Sequence, residues 1–203
     1  MKKFILLALV TMFTLGAAAQ VRTSRTFTRQ ESNTTWYLRA GMNISTPSSF
    51  EEGGDKFSPD GKVGFDVDFG FHKAIASSNA YWGMELGVGS RGIKFDNDYD
   101  EDKSVIAYGV TYSPITLGYK FPLTESIKLD GHLGGFLAYD FAYGGDYEFD
   151  KAFDAGIQVG VGAWFSRFNL DFTYQAGFCN TLESSDKDFC KIGKFMIRVG
   201  YAF

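Results

Sequence analysis

With 203 residues the chain has the length of one domain, and 17% aromatics, 24 Gly and only 4 Pro favour twisted, closely packed strands over a helical bundle. A formal charge of -4 argues against a nucleic-acid partner, because binding to phosphate draws on Lys and Arg.

The chain opens with an export signal. Lys2 and Lys3 form a charged start, Phe4 to Leu15 an apolar run, and Ala17-Ala18-Ala19 a small-residue cleavage pattern. The run is shorter than the roughly 18 to 20 residues of a spanning helix. Residues 1–19 are therefore read as a signal peptide, and no Cys follows the cut to take a lipid anchor. Residues 20–34 are polar, carry Arg22, Arg25 and Arg29, show no usable period, and read as a flexible periplasmic leader.

Alternation begins at Trp36, with Trp36, Leu38, Ala40, Met42 and Ile44 on one face and Tyr37, Arg39, Gly41 and Asn43 on the other. A long loop over 46–61 separates this strand from the next, Lys62 to His72, whose Val63, Phe65, Val67, Phe69 and Phe71 oppose Asp66, Asp68 and His72. The third strand sets Trp82, Met84, Leu86 and Val88 against Gly83, Glu85 and Arg91, and a second long loop is expected over 93–104. In the fourth, from about Val105 to Phe121, the phase changes between Tyr112 and Ile115. A bulge at Ser113-Pro114 would reconcile the two halves, because Pro cannot donate a ladder hydrogen bond. The fifth runs from Ile127 to about Tyr143, with Leu129, Leu133 and Leu137 opposite Lys128, Asp130, His132 and Asp140. Phe153 to Phe165 and Phe168 to Phe178 form a hairpin about the tight Ser166-Arg167 turn and carry Asp154 and Asp171 on their polar face. Lys194 to Phe203 is the last strand and ends on an aromatic residue.

Long connections follow the odd strands and short ones the even strands. That asymmetry fits an all-β, eight-stranded, antiparallel up-and-down transmembrane barrel over 35–203, with long external loops and both termini in the periplasm. Which face points outward is a matter of bulk. The apolar set is too large for an eight-stranded lumen, which only just holds its own side chains, so it faces lipid. Asp66, Asp68, Glu85, Asp130, Asp154 and Asp171 are then expected to pair with Arg39, Arg91, Lys128, Lys194 and Arg198 across a plugged lumen, with His132 as a filler in that network.

These features resemble the small outer-membrane β-barrels of the OmpA/OmpX and PorT-like type. The resemblance covers about Thr35 to Phe203 and is carried by the export signal, the alternating strands, the run ITLGYKFPL over 115–123 and the terminal RVGYAF over 198–203. It implies residence in the outer membrane of a Gram-negative bacterium. It also implies insertion by the barrel assembly machinery, which reads a last strand ending in aromatics, here Tyr201 and Phe203. The group includes adhesins and structural proteins, so it supplies no substrate.

Four features of the sequence bear on chemistry. Asp96, Asp98 and Asp100 match the first ligand positions of a calcium loop, but position six is Glu101 and position twelve Ala107, so a solvated acidic loop is expected, with no metal and no cofactor. The four long loops hold most of the 24 acidic residues, which favours cationic or divalent-bridged contacts with lipopolysaccharide, envelope proteins or a host surface. His72 and His132 are the only histidines, and no Ser shares the lumen face of the His132 strand, so no enzyme is expected. Cys179 and Cys190 flank the last external loop, where a disulfide can persist after export. The expected protein is a monomeric structural or surface-interaction barrel. A small solute channel, an acyl-modifying enzyme and a soluble lipocalin-like binder are the alternatives.

Overall fold

The computed structural model describes residues 34–203 apart from 49, 53–54, 58–59, 77, 96–102, 146–151, 180–181 and 184–188. The signal peptide, the leader up to 33 and the acidic run Asp96–Asp102 lie outside the described residues. Eight long strands follow one another: β1 (Thr34–Pro47), β2 (Val63–Ala74), β3 (Ala80–Phe95), β4 (Lys103–Pro122), β5 (Ile127–Gly145), β6 (Phe153–Phe165), β7 (Phe168–Gly177) and β8 (Ile192–Ala202). Each pairs antiparallel with its neighbours in sequence, and β1 pairs with β8 from Tyr37↔Ala202 to Pro47↔Ile192, which closes the ring. A closed sheet is what a bilayer demands, since an open edge in hydrocarbon would leave backbone groups unpaired.

Burial settles the orientation of the two faces. Met42, Leu133 and Val161 on the apolar parity are 63%, 61% and 62% exposed, whereas Arg39 and Arg198 on the other parity are 2% and 1% exposed. The apolar face is the outer wall and the charged face is the lumen. An inverted, lipocalin-like arrangement is thereby overturned.

The expected bulge lies at Ser113-Pro114. Across β5, Tyr112 faces Leu137 and Ile115 faces Gly135; across β3, Ser113 faces Glu85 and Thr116 faces Gly83. A second irregularity, on β5, was not anticipated: Tyr108 faces Ala142 and Gly109 faces Asp140, so Phe141 has no opposite residue and both Phe141 and Ala142 are exposed. The expected loop over 93–104 is also shorter than the sequence pattern suggested. Ile93 pairs with Val105, and both turn into the lumen with no exposed surface, so β3 and β4 run as paired strands as far as Phe95 and Lys103. Similarly Thr34, expected in the leader, already pairs with Lys73.

At the opposite end the turns are short. Phe165 pairs with Phe168 across Ser166-Arg167, and Ser166 takes a φ of 56°, the left-handed geometry such two-residue hairpins require. Asp60–Gly61 pairs with the outer end of β3 within the main sheet, and separate small hairpins join Phe50–Glu52 to Asp55–Phe57 and Leu182–Glu183 to Phe189–Cys190.

Candidate functional site in the lumen

Because side chains alternate along each strand, every second residue of eight strands converges on one narrow interior, which therefore fills in layers. The layer nearest the termini is aromatic. Tyr37, His72, Tyr81 and Trp164 come from β1, β2, β3 and β6. Ring centroids lie 3.9 Å apart for His72–Tyr81, 4.6 Å for Tyr37–His72 and 6.1 Å for Tyr37–Trp164. Lys120 Nζ lies 4.3 Å from the Trp164 ring and the Arg39 guanidinium 4.4 Å from that of Tyr37, so two cations cap the aromatic faces. Asp130 accepts hydrogen bonds from the Tyr81 hydroxyl at 2.8 Å and from Trp164 Nε1 at 2.9 Å.

Gly118 makes room for this layer. It sits directly opposite Tyr81, and a Cβ there would run into the Tyr81 ring. Gly118→Val is accordingly expected to push Tyr81 out of the layer and to cost about 1–3 kcal/mol, the usual range for overpacking. Urea unfolding in vesicles would read the loss, and near-ultraviolet dichroism the displaced rings.

The middle layer is ionic. Arg198 donates through Nη1 to Asp68 Oδ2 at 2.9 Å and Glu85 Oε1 at 2.8 Å, and through Nη2 to Asp171 Oδ1 at 2.7 Å and Thr173 Oγ1 at 3.1 Å. Arg39 donates to Glu85 Oε2 at 3.0 Å and Asn169 Oδ1 at 2.8 Å, while Tyr37 adds its hydroxyl to the same Glu85 oxygen at 3.1 Å. One carboxylate, Glu85, thus joins both guanidiniums. The planar fork of Arg suits this role, since its five donors reach several acceptors at fixed angles. His132 Nε2 lies 3.2 Å from Thr173 Oγ1 and 3.8 Å from Asp171 Oδ2, at the margin of this layer.

Further outward, Lys194 Nζ meets Asp66 Oδ1 at 2.6 Å and Asn43 donates to Asp66 Oδ2 at 2.6 Å. Arg91 bridges Asp140 at 2.7 Å and Asp154 at 2.8 Å. Above them Ile93, Val105, Ala107 and Ile192 form a dry cluster with Tyr143 packed against it.

Most of the charges singled out in the sequence therefore converge: Arg39, Asp66, Asp68, Glu85, Arg91, Asp154, Asp171 and Arg198 all take part in ion pairs. Two expectations are corrected. Asp130 is held by Tyr81 and Trp164 through neutral donors, and Lys128 stands exposed at the rim, where β5 has only just begun. Asp140, Tyr37, Tyr81 and Trp164 were not assigned to the network, although each has the lumen parity of its strand.

Tyr201 and Phe203 lie exposed at the inner end of the outer wall. Cys179 is half-buried just beyond β7, its backbone N–H 3.2 Å from Asp154 Oδ1. The side chain of Cys190, and with it the expected bridge, lies outside the described residues. Among the described residues no cluster of His, Cys, Asp and Glu is arranged to hold a metal ion.

Comparison with known proteins agrees on the class. The family described as "Outer membrane protein beta-barrel domain" matches residues 5–203. No curated protein matches the chain in sequence. Similar solved structures include Ail, the attachment invasion locus protein of Yersinia pestis, crystallised with the heparin analogue sucrose octasulfate, at 20% identity over 84% of this chain and 99% of that one, with a TM-score of 0.40. Neisserial surface protein A is similar at 16% identity over 83% and 97%, TM-score 0.42. The N-terminal barrel domain of Pseudomonas aeruginosa OprF is similar at 11% identity over 82% and 97%, TM-score 0.37. By its match along nearly the whole chain, and in keeping with its closed eight-stranded wall, this protein belongs to the outer membrane protein beta-barrel domain family and resides in the outer membrane.

Proposed function

We propose that the barrel is plugged by its own side chains and serves a structural or surface-interaction role through its acidic external loops. The observation that carries this reading is the Arg198 cluster: one guanidinium, fully buried, is bonded to carboxylates from β2, β3 and β7 and so spans the lumen. The aromatic layer below and the apolar cluster above supplement it. The loops carry most of the acidic residues, which suits divalent-bridged contact with lipopolysaccharide or a cationic partner surface. A Cys179–Cys190 bridge would restrict the last of those loops. On this reading the protein works as a monomer, Tyr201 and Phe203 present the last strand to the barrel assembly machinery, and no reaction is catalysed. His132 and Thr173 support the last point, since both are engaged inside the ionic layer.

The test is conductance of the purified barrel in planar bilayers, with the heat-dependent shift of its mobility in SDS as proof that the protein used was folded. A silent membrane is expected. A steady current from the unaltered protein, changed in ion selectivity by Arg39→Gln or Asp68→Asn, would replace this reading with a solute channel.

A further inference from the structure

Exposed aromatic side chains recur around the inner end of the outer wall, Tyr119 and Phe121 on β4 and Phe165 on β6 among them. One arc of them, across β7, β8, β1, β2 and β3, consists of the pair Phe168 and Tyr201 and the contiguous series Phe203, Phe69, Trp36, Phe71 and Trp82. Ring centroids are 5.4 Å apart for Phe168–Tyr201, 6.2 Å for Phe203–Phe69, 5.4 Å for Phe69–Trp36, 5.0 Å for Trp36–Phe71 and 5.3 Å for Phe71–Trp82. Two exposed cations border the arc, one on β2 and one in the β6–β7 turn. Lys73 is exposed and follows Phe71 on the same outward parity, one step beyond the rings. Arg167, exposed in the Ser166-Arg167 turn, directs Nη1 to the Tyr201 hydroxyl at 3.4 Å and so leans over the same wall. On the far side of the ring the exposed Lys128 is accompanied by an acid, Glu125 of the β4–β5 turn.

Aromatic rings gather at the level of lipid headgroups, where their apolar bodies meet acyl chains and their polar edges meet water. Cations just beyond them stand where headgroup phosphates lie, and each exposed Lys or Arg near an anionic surface is attracted to it. We infer that this arc is a binding surface for anionic glycerophospholipids of the periplasmic leaflet, with Lys73 and Arg167 each engaging a headgroup phosphate. From β2 through β1 and β8 to β7 there are three inter-strand spacings, about 14 Å in all. That separation is too wide for a single phosphate and accommodates two neighbouring lipids, whose acyl chains would run along Trp36, Phe69 and Phe203. The acidic external loops repel such lipids, so the preference is confined to one leaflet.

The experiment uses the full barrel reconstituted in vesicles of phosphatidylcholine alone or with one fifth phosphatidylglycerol, followed by gentle detergent extraction and native mass spectrometry to count the lipids retained. The unaltered protein should retain phosphatidylglycerol over phosphatidylcholine severalfold, and 0.5 M salt should erode that preference. Lys73→Gln/Arg167→Gln should abolish it while leaving the heat-dependent gel shift intact. A matched variant, Lys94→Gln/Lys191→Gln, places the same charge change at the outer end and should keep it. Equal retention of the two lipids by the unaltered protein, or an undiminished preference in Lys73→Gln/Arg167→Gln, would overturn the inference.

Discussion

Replacing Arg198 with Met should destabilise the folded barrel by about 3–5 kcal/mol, the cost of breaking a buried ion pair from one side. The size follows from what is left behind. Asp68, Glu85 and Asp171 all lose a donor within 3 Å, in a layer where none of them reaches bulk water. Met fills much of the volume but supplies no N–H, so three carboxylates face one remaining guanidinium, that of Arg39. Arg198→Lys should recover only part of the loss, because a single ammonium cannot reach all three with the angles that the fork allows. Adding Asp171→Asn to Arg198→Met should shrink the penalty, since the second change removes one of the stranded charges. Urea titration in vesicles, followed by Trp fluorescence, measures all three. A midpoint for Arg198→Met equal to that of the unaltered protein would mean that the ionic layer adds nothing to stability.

The outer wall invites the converse substitution. Val159 lies at the middle of β6, pairs with Leu133 on one side and Tyr174 on the other, and is 58% exposed on the lipid-facing parity. Val159→Arg should cost about 2–4 kcal/mol, the penalty for a cation at the bilayer midplane of such barrels. Leu123→Arg, at the exposed β4–β5 turn, should cost about 0–1 kcal/mol, because that position lies at the water interface. The contrast measures depth directly. Were the two substitutions to cost the same in vesicles, the wall would not be embedded as its burial pattern indicates.

What could be read in advance follows from a single regularity. A closed barrel with lipid on one side and a polar lumen on the other imposes alternation on its strands, and runs such as Val63 to Phe71 display it without interruption. The Ser113-Pro114 bulge was legible for the same reason, as a break in that alternation. The pairing of lumen charges was not. Which carboxylate meets Arg198 depends on the stagger of strands around the ring, and no local pattern records that stagger. Tyr37, Tyr81 and Trp164 were obscured by their type: bulky aromatics suggest lipid, yet all three stand on lumen parity, and Gly70 and Gly118 leave room for the Tyr37 and Tyr81 rings. Ile93 lay next to an acidic run and was absorbed into its loop, although continuing the phase of Arg91 would have placed it in the lumen.

The pairing of β1 with β8 bears on the timing of assembly. Arg198 is bonded to Asp68 across 130 residues of sequence, and Arg39 to Asn169 across another 130. The Arg198 bonds require the last strand, so this part of the lumen network contributes to the final latching step and not to early folding. Contacts of such long sequence separation make folding slow. Contacts that form only after the transition state act mainly by slowing unfolding. The charges gathered about Arg198 therefore govern the lifetime of the inserted barrel more than the rate at which it is built, and a variant weakened there should fold at an ordinary rate and come apart early.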